Sequence, residues 1–200
     1  MTHENLTVQI MAGGKSTRMG TDKAGVTLGG KTLLELAADK WRGFGAETLL
    51  SVGSAERKAL ARPGMRPVTD RYRSRGPLGG LHGGLLECAT EFLLLTAVDC
   101  PFVTRELAEG LLSAIGEGDA CVYTLEGRPQ PLFGLYRKRC QAAVEGMLEE
   151  GENRMVRLLH RVNTVYLPTD DPAPFRNLNT PEELAAARDI FVENENEIRG

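Results

Sequence analysis

The 200-residue chain has no unbroken apolar run of the roughly 18 residues that a membrane-spanning helix needs. It has no CxxC pair: its four cysteines stand at 88, 100, 121 and 140, and its three histidines, His3, His82 and His160, are scattered. That spacing argues against a zinc site and against a disulfide framework, and buried reduced thiols are the expectation. A surplus of positive charge is also missing. Lys and Arg number 24 against 27 Asp and Glu, a net charge of −3, whereas a general nucleic-acid binder is usually basic. The opening MTHENLT lacks the apolar core of a signal peptide. A cytoplasmic protein is expected, with neither membrane nor nucleic acid among its partners. Repeats, low-complexity tracts and interdomain linkers are absent, so residues 1–200 read as one domain.

What is present is an alternation. Apolar runs of strand length occur at 6–11 (LTVQIM), 47–52, 65–69, 91–98 (EFLLLTAV), 120–124, 131–136 and 162–167. Helical patterns lie at 31–43, 105–116, 138–150 and 154–161, with a shorter one through Ala55–Ala61. The run at 91–98 is apolar almost throughout, as suits a strand covered on both faces. A small extended piece with a GG turn is expected at 25–34, and 71–85 reads as a long loop running into a helix. Near the end Thr180 is a good N-cap, with Pro181 at the first helical position and Glu183 three residues past the cap. The last eight residues, 193–200, read as a frayed tail. The alternation predicts an α/β fold: a mostly parallel sheet with helices on both faces. Ligands bind such sheets beyond the carboxyl ends of the strands.

Three polar loops would share that edge. The first, AGGKSTRMGTDK at 12–23, follows the first strand. Its glycines let backbone N–H groups approach an anion, and Lys15, Arg18 and Lys23 add full charges. Neither common phosphate-loop pattern fits. Lys15 follows Gly13-Gly14, which breaks GxGxxG, and Gln9 stands where GxxxxGK[ST] needs glycine. The second loop begins at Asp70 and carries Arg71, Arg73 and Arg75; the third begins at Asp99. One carboxylate with phosphate oxygens and waters makes a normal magnesium shell. Taken singly, each loop also reads as an ordinary turn, with solvated cations or a capping acid. Taken together, they make a glycine cradle with several cations and two acids, suited to a nucleoside triphosphate with magnesium.

The stretch Met11-Ala12-Gly13-Gly14-Lys15-Ser16-Thr17-Arg18-Met19-Gly20-Thr21-Asp22-Lys23 closely resembles the (L)AGGxSxRMGxDK signature of molybdenum cofactor guanylyltransferases. Asp70 with Gly76-Pro77-Leu78-Gly79-Gly80-Leu81 is similar to that family's D…GPLAGL. Asp99-Cys100-Pro101-Phe102 is similar to its D-x-P-[FY], and Asn177-Leu178-Asn179-Thr180-Pro181-Glu182-Glu183-Leu184 to its N-x-NTPEDL. The resemblance spans about 8–188 in the right order. It implies a three-layer αβα, Rossmann-like nucleotidyltransferase fold, with Mg2+ as cofactor and GTP and molybdenum-molybdopterin as substrates. Molybdoenzyme maturation proteins are the downstream partners it allows for. Carried over residue by residue, Met11, Ala12, Gly13 and Gly14 contact the nucleotide and Asp70 lies in its site. Lys23 and Arg18 hold phosphate. Asp99 contacts the nucleotide and binds the metal; Arg18, Lys23 and Asp99 form the catalytic set. Two departures stand out. Met11 replaces the usual Leu, a volume-conserving change, and Ser51-Val52-Gly53-Ser54 replaces a VNAN-like stretch, so no asparagine role is transferred there.

In this reading 6–103 grips the nucleotide and 104–192 receives the acceptor. Acceptor candidates are the Arg128-Pro129-Gln130-Pro131 loop, Asn177, Asn179, and Arg154 and Arg157 near a candidate phosphate-binding helix. The rival readings are a cytidylyltransferase for the same cofactor, an enzyme acting on a sugar or alditol phosphate, and a non-catalytic carrier. The AGG form favours guanine, because cytidylyl relatives commonly carry AAG.

Overall fold

The computed structural model describes residues 3–12 and 23–188. Their nine strands are β1 (His3–Met11), β2 (Thr27–Leu28), β3 (Lys31–Thr32), β4 (Gly45–Gly53), β5 (Met65–Thr69), β6 (Phe92–Ala97), β7 (Ala120–Leu125), β8 (Arg128–Arg137) and β9 (Thr164–Thr169). The helices are α1 (Leu33–Trp41), α2 (Gly76–Glu87), α3 (Arg105–Ala114), α4 (Cys140–Glu149), α5 (Met155–Arg161) and α6 at 181–188. Seven strands form one sheet in the order β5-β4-β1-β6-β8-β7-β9, and β2 and β3 make a small hairpin beside it. The hairpin turns on Gly29 and Gly30, both with positive φ, where the GG turn is expected.

β5, β4, β1 and β6 pair in parallel; β8 runs antiparallel to both its neighbours, and β9 is parallel to β7. Only β8 is reversed. The sheet is therefore mostly parallel, with helices packed on it. From β1 the chain builds outward to β4 and β5, then returns through α2 to place β6 on the far side of β1. The order reverses between β1 and β6, and it is outside the carboxyl ends at such a point that sheets of this kind take their ligands.

β1 is buried from Leu6 through Met11, as a central strand must be. Successive side chains alternate faces, so Thr7, Gln9 and Met11 share the side that meets α2. That helix, GPLGGLHGGLLE, takes up most of 71–85, the stretch expected as a long loop running into a helix. Gly80, Gly83 and Gly84 are turned to the sheet. A Cβ on Gly80 would lie 2.7 Å from Met11 Cε, and one on Gly84 would lie 2.1 Å from Gln9 Oε1. Glycine here buys close approach of helix to strand rather than flexibility.

On the other face Trp41, Phe44, Tyr123, Phe133 and Phe175 pack ring against ring beneath α1 and α3. Arg105 at the start of α3 donates to the carbonyls of Lys40 (2.6 Å) and Arg42 (2.7 Å), satisfying orphan groups at the end of α1. α1 opens with a capping box between Thr32 and Glu35. At α6, Thr180 Oγ1 accepts from Glu183 N at 3.2 Å while Glu183 accepts from Thr180 N at 3.0 Å, the reciprocal cap its sequence predicts. The piece at 55–61 is a 3-10 turn, Ala55–Leu60. All four cysteines are buried and unpaired, as expected. Among the described residues no helix is long and apolar enough to cross a membrane.

Candidate functional site

The end of β1 is pinned between its neighbours. Ala12 N donates to Ser51 O at 3.0 Å, and Val98 N donates to Met11 O at 3.1 Å. Met11 and Ala12 are thus buried at the point where the strand order reverses. The next ten residues, 13–22, lie outside the described residues, and Gly13, Gly14 and Arg18 are among them.

Lys23 stands on the β6 side of Met11, in a short 3-10 turn of residues 23–25. Its Nζ lies 2.6 Å from Asp99 Oδ2 and 2.5 Å from Asn179 Oδ1. The two charged side chains are 20% and 18% exposed, half-sunk at the rim and still reachable by a ligand. Leu178 N donates to Asp99 O at 2.9 Å, and Cys100 Sγ donates to Asn177 Oδ1, also at 2.9 Å. Residues 177–179, far away in sequence, are so stitched to the Asp99 turn. Burial pushes the Cys100 thiol up, and the Asp99 charge adds to the shift, so the thiol stays a donor.

Asp70 stands on the other side of Met11, where β4, β5 and α2 meet. Its backbone N donates to Gly53 O at 3.2 Å, and Ser51 Oγ reaches its Oδ1 at 3.5 Å. Bare backbone surrounds the carboxylate: a Cβ on Gly79 or Gly80 would come within 3.8 and 3.9 Å of it. Burial raises its pKa to about 6, against a smaller opposing pull from Ser51.

The acceptor candidates divide. Arg128–Pro131 is the start of β8 rather than a loop. Because β8 is reversed, that start lies at the carboxyl edge of its neighbours. A cavity of about 160 Å3 there is lined by Cys100, Gln130, Pro131, Phe133, Phe175 and Asn177. Asn177 and Asn179 therefore join the Asp99 group. Arg154 and Arg157 do not. Arg154 grips Glu152 with two bonds of 2.9 and 2.8 Å, holding that carboxyl down to about 2, and Arg157 is exposed on α5, a helix of only seven residues. The turn before α5 still approaches the α2 N-terminus, where Arg75 Nη1 meets Gly151 O at 3.5 Å.

Two residues of the site carry no sequence signal. Lys40 reaches from α1 to the carbonyls of Pro101 and, at 2.6 Å, Val103, tying down the turn after Asp99. Burial lowers its pKa to about 8. Gln9, mid-strand, donates to Gly80 O at 2.7 Å and fixes α2 beneath Asp70. Among the described residues no cluster of three or more His, Cys, Asp or Glu could cage a metal. Asp99 alone suits a cation that arrives with phosphate oxygens and keeps its waters.

The fold gives the class. The crystal structure of molybdopterin-guanine dinucleotide biosynthesis protein A from Archaeoglobus fulgidus matches with a TM-score of 0.82 and 27% identity, covering 94% of this chain and 99% of that one. The sheet and its flanking helices are those of an α/β nucleotidyltransferase. Residues 8–165 match the MobA-like NTP transferase domain, and the chain belongs to that family. The molybdenum cofactor guanylyltransferase of Vibrio vulnificus (strain YJ016) is 33% identical over 180 residues, 88% of this chain and 91% of its own. The probable molybdenum cofactor guanylyltransferase of Pelotomaculum thermopropionicum is 33% identical over 192 residues, 92% of each chain.

Proposed function

We propose that this chain transfers a guanylyl group from GTP to the terminal phosphate of molybdenum-molybdopterin. An oxygen of that phosphate attacks the α-phosphorus of GTP, the bond to the bridging oxygen breaks, and pyrophosphate leaves. The observation that carries the proposal is the Lys23–Asp99 pair at the reversal point of the sheet, in a chain whose relatives bear the guanylyltransferase name.

Both reactants are anions, so the protein's work is alignment and charge neutralisation. Met11, Ala12, Gly13 and Gly14 would present backbone to the nucleotide, with Asp70 beside it. Lys23 and Arg18 would hold the phosphates as negative charge moves to the leaving group. Asp99 would hold magnesium, which when bound neutralises phosphate charge and fixes the triphosphate against the carboxylate. Asn177, Asn179 and the Gln130 cavity would meet the acceptor. The four unpaired thiols suit a reducing cytoplasm, where the product would pass to maturation proteins.

Pyrophosphate release from GTP, magnesium and molybdopterin tests the reading. Release with GTP and little with CTP is expected. Binding of both substrates without release would indicate a carrier, and preference for CTP would indicate a cytidylyltransferase.

A further inference from the structure

Lys23 is one cation with two acceptors, Asp99 Oδ2 at 2.6 Å and Asn179 Oδ1 at 2.5 Å. Asp99 supplies the counter-charge. Asn179 supplies none, so charge balance does not account for its contact. Its backbone is anchored: Asn179 N donates to Glu183 Oε2 at 2.6 Å, and the preceding Leu178 N to Asp99 O at 2.9 Å. The backbone that carries the amide is fixed, while Lys23 reaches it on a flexible four-carbon stem. In an exchange of partners Lys23 has the longer reach.

A triphosphate offers charged oxygens to the same ammonium. The ammonium's three N–H donors already serve two acceptors, so a triphosphate that draws on more than the third displaces one of them, at a cost to nucleotide binding. We propose that Asn179 is a positioning residue that competes with the nucleotide for Lys23, so that an acceptor substrate engaging Asn179 frees Lys23 for the triphosphate and couples the two substrates. The inference rests on the function proposed above, whose substrates it uses. Such coupling is reciprocal: the acceptor tightens nucleotide binding by the factor by which the nucleotide tightens acceptor binding.

Calorimetric titration of GTP with magnesium into the intact chain tests this without turnover. Asn179→Ala removes the competitor, and GTP should bind about fivefold tighter, the low end of ordinary coupling. Asn179→Asp adds a charge that holds Lys23 harder, and GTP should bind more weakly than to wild type. A purely structural role for Asn179 would weaken binding in both variants. That result, or no change in either, overturns the proposal. The wild-type chain provides a second measurement that needs no variant: saturating molybdopterin should tighten α,β-methylene-GTP, whose α,β bond cannot be cleaved, about fivefold, and equal affinities would overturn the coupling. A wild-type chain that binds no GTP would instead defeat the proposed function itself.

Discussion

Gln9 Nε2 sits 2.7 Å from the carbonyl oxygen of Gly80, so the middle of the central strand is hydrogen-bonded to the middle of the helix that crosses over it. The bond exists because α2 has no side chains in the way. Adding one at Gly84 would drive a methyl into the Gln9 amide, 2.1 Å from Oε1. Gly84→Ala should therefore destabilise the chain by about 1–3 kcal/mol in thermal or urea unfolding. Combined with Gln9→Ala it should cost less than the sum of the two single changes, because both disturb one contact.

Asp70 gives a pH signature. Its pKa of about 6 stands above the ordinary 3.8, so between those values the folded chain holds a proton that the unfolded chain has released. The stability this contributes is complete below about pH 4 and is lost as pH rises through 6. Asp70→Asn should flatten that slope. At pH 7 it should raise stability by about 1–2 kcal/mol, a figure reduced for partial solvent screening. GTP affinity should fall in the same variant. Urea unfolding across pH 4–7 and calorimetry would show the two effects moving in opposite directions.

Lys40 should matter to activity without touching substrate. Lys40→Met leaves the carbonyls of Pro101 and Val103 without their donor. A loss of about 1–3 kcal/mol is expected in unfolding, together with lower turnover as the Asp99 turn loosens. The lowered pKa of about 8 sets the sign of a second effect. Above pH 8 the unfolded chain binds the extra proton, so wild type gains stability on the variant up to about pH 10.

Asp99→Asn should cut pyrophosphate release at least about a hundredfold, with the melting temperature within about 5 °C of wild type. Chelating magnesium should stop turnover and leave the melting transition in place. Release by Asp99→Asn at the wild-type rate would remove the carboxylate from the reaction.

Much of this architecture was legible because burial leaves a mark in sequence. The runs at 6–11 and 91–98 are apolar because helices cover both faces, and each is a central strand. Thr180-Pro181-Glu182-Glu183 spells a cap in its own local chemistry, and the cap forms. Elsewhere the signal pointed the other way. The Gly and Pro of 76–84 look like turn residues, yet they serve a helix pressed onto strands, a tertiary demand that overrides local preference. The direction of β8 was hidden too, since reversal depends on the tight turn at Glu126-Gly127, and glutamate is an unusual residue at positive φ. Nothing around Lys40 separates a lysine in water from one that ties two carbonyls. Asn177 and Asn179 were legible as candidates by resemblance; their contact with the Asp99 turn is long-range and appears only in three dimensions.

The reversed strand leaves one lasting opportunity. Glu126 and Gly127, both at positive φ, form the two-residue tip between β7 and β8, on the same side of the sheet as Asp99. Under the proposed function, a longer tip would reach toward the acceptor beside the start of β8 without disturbing β1 or β6. Preference for one recipient over another can therefore diverge at a single bend, while the apparatus that expels pyrophosphate is inherited intact.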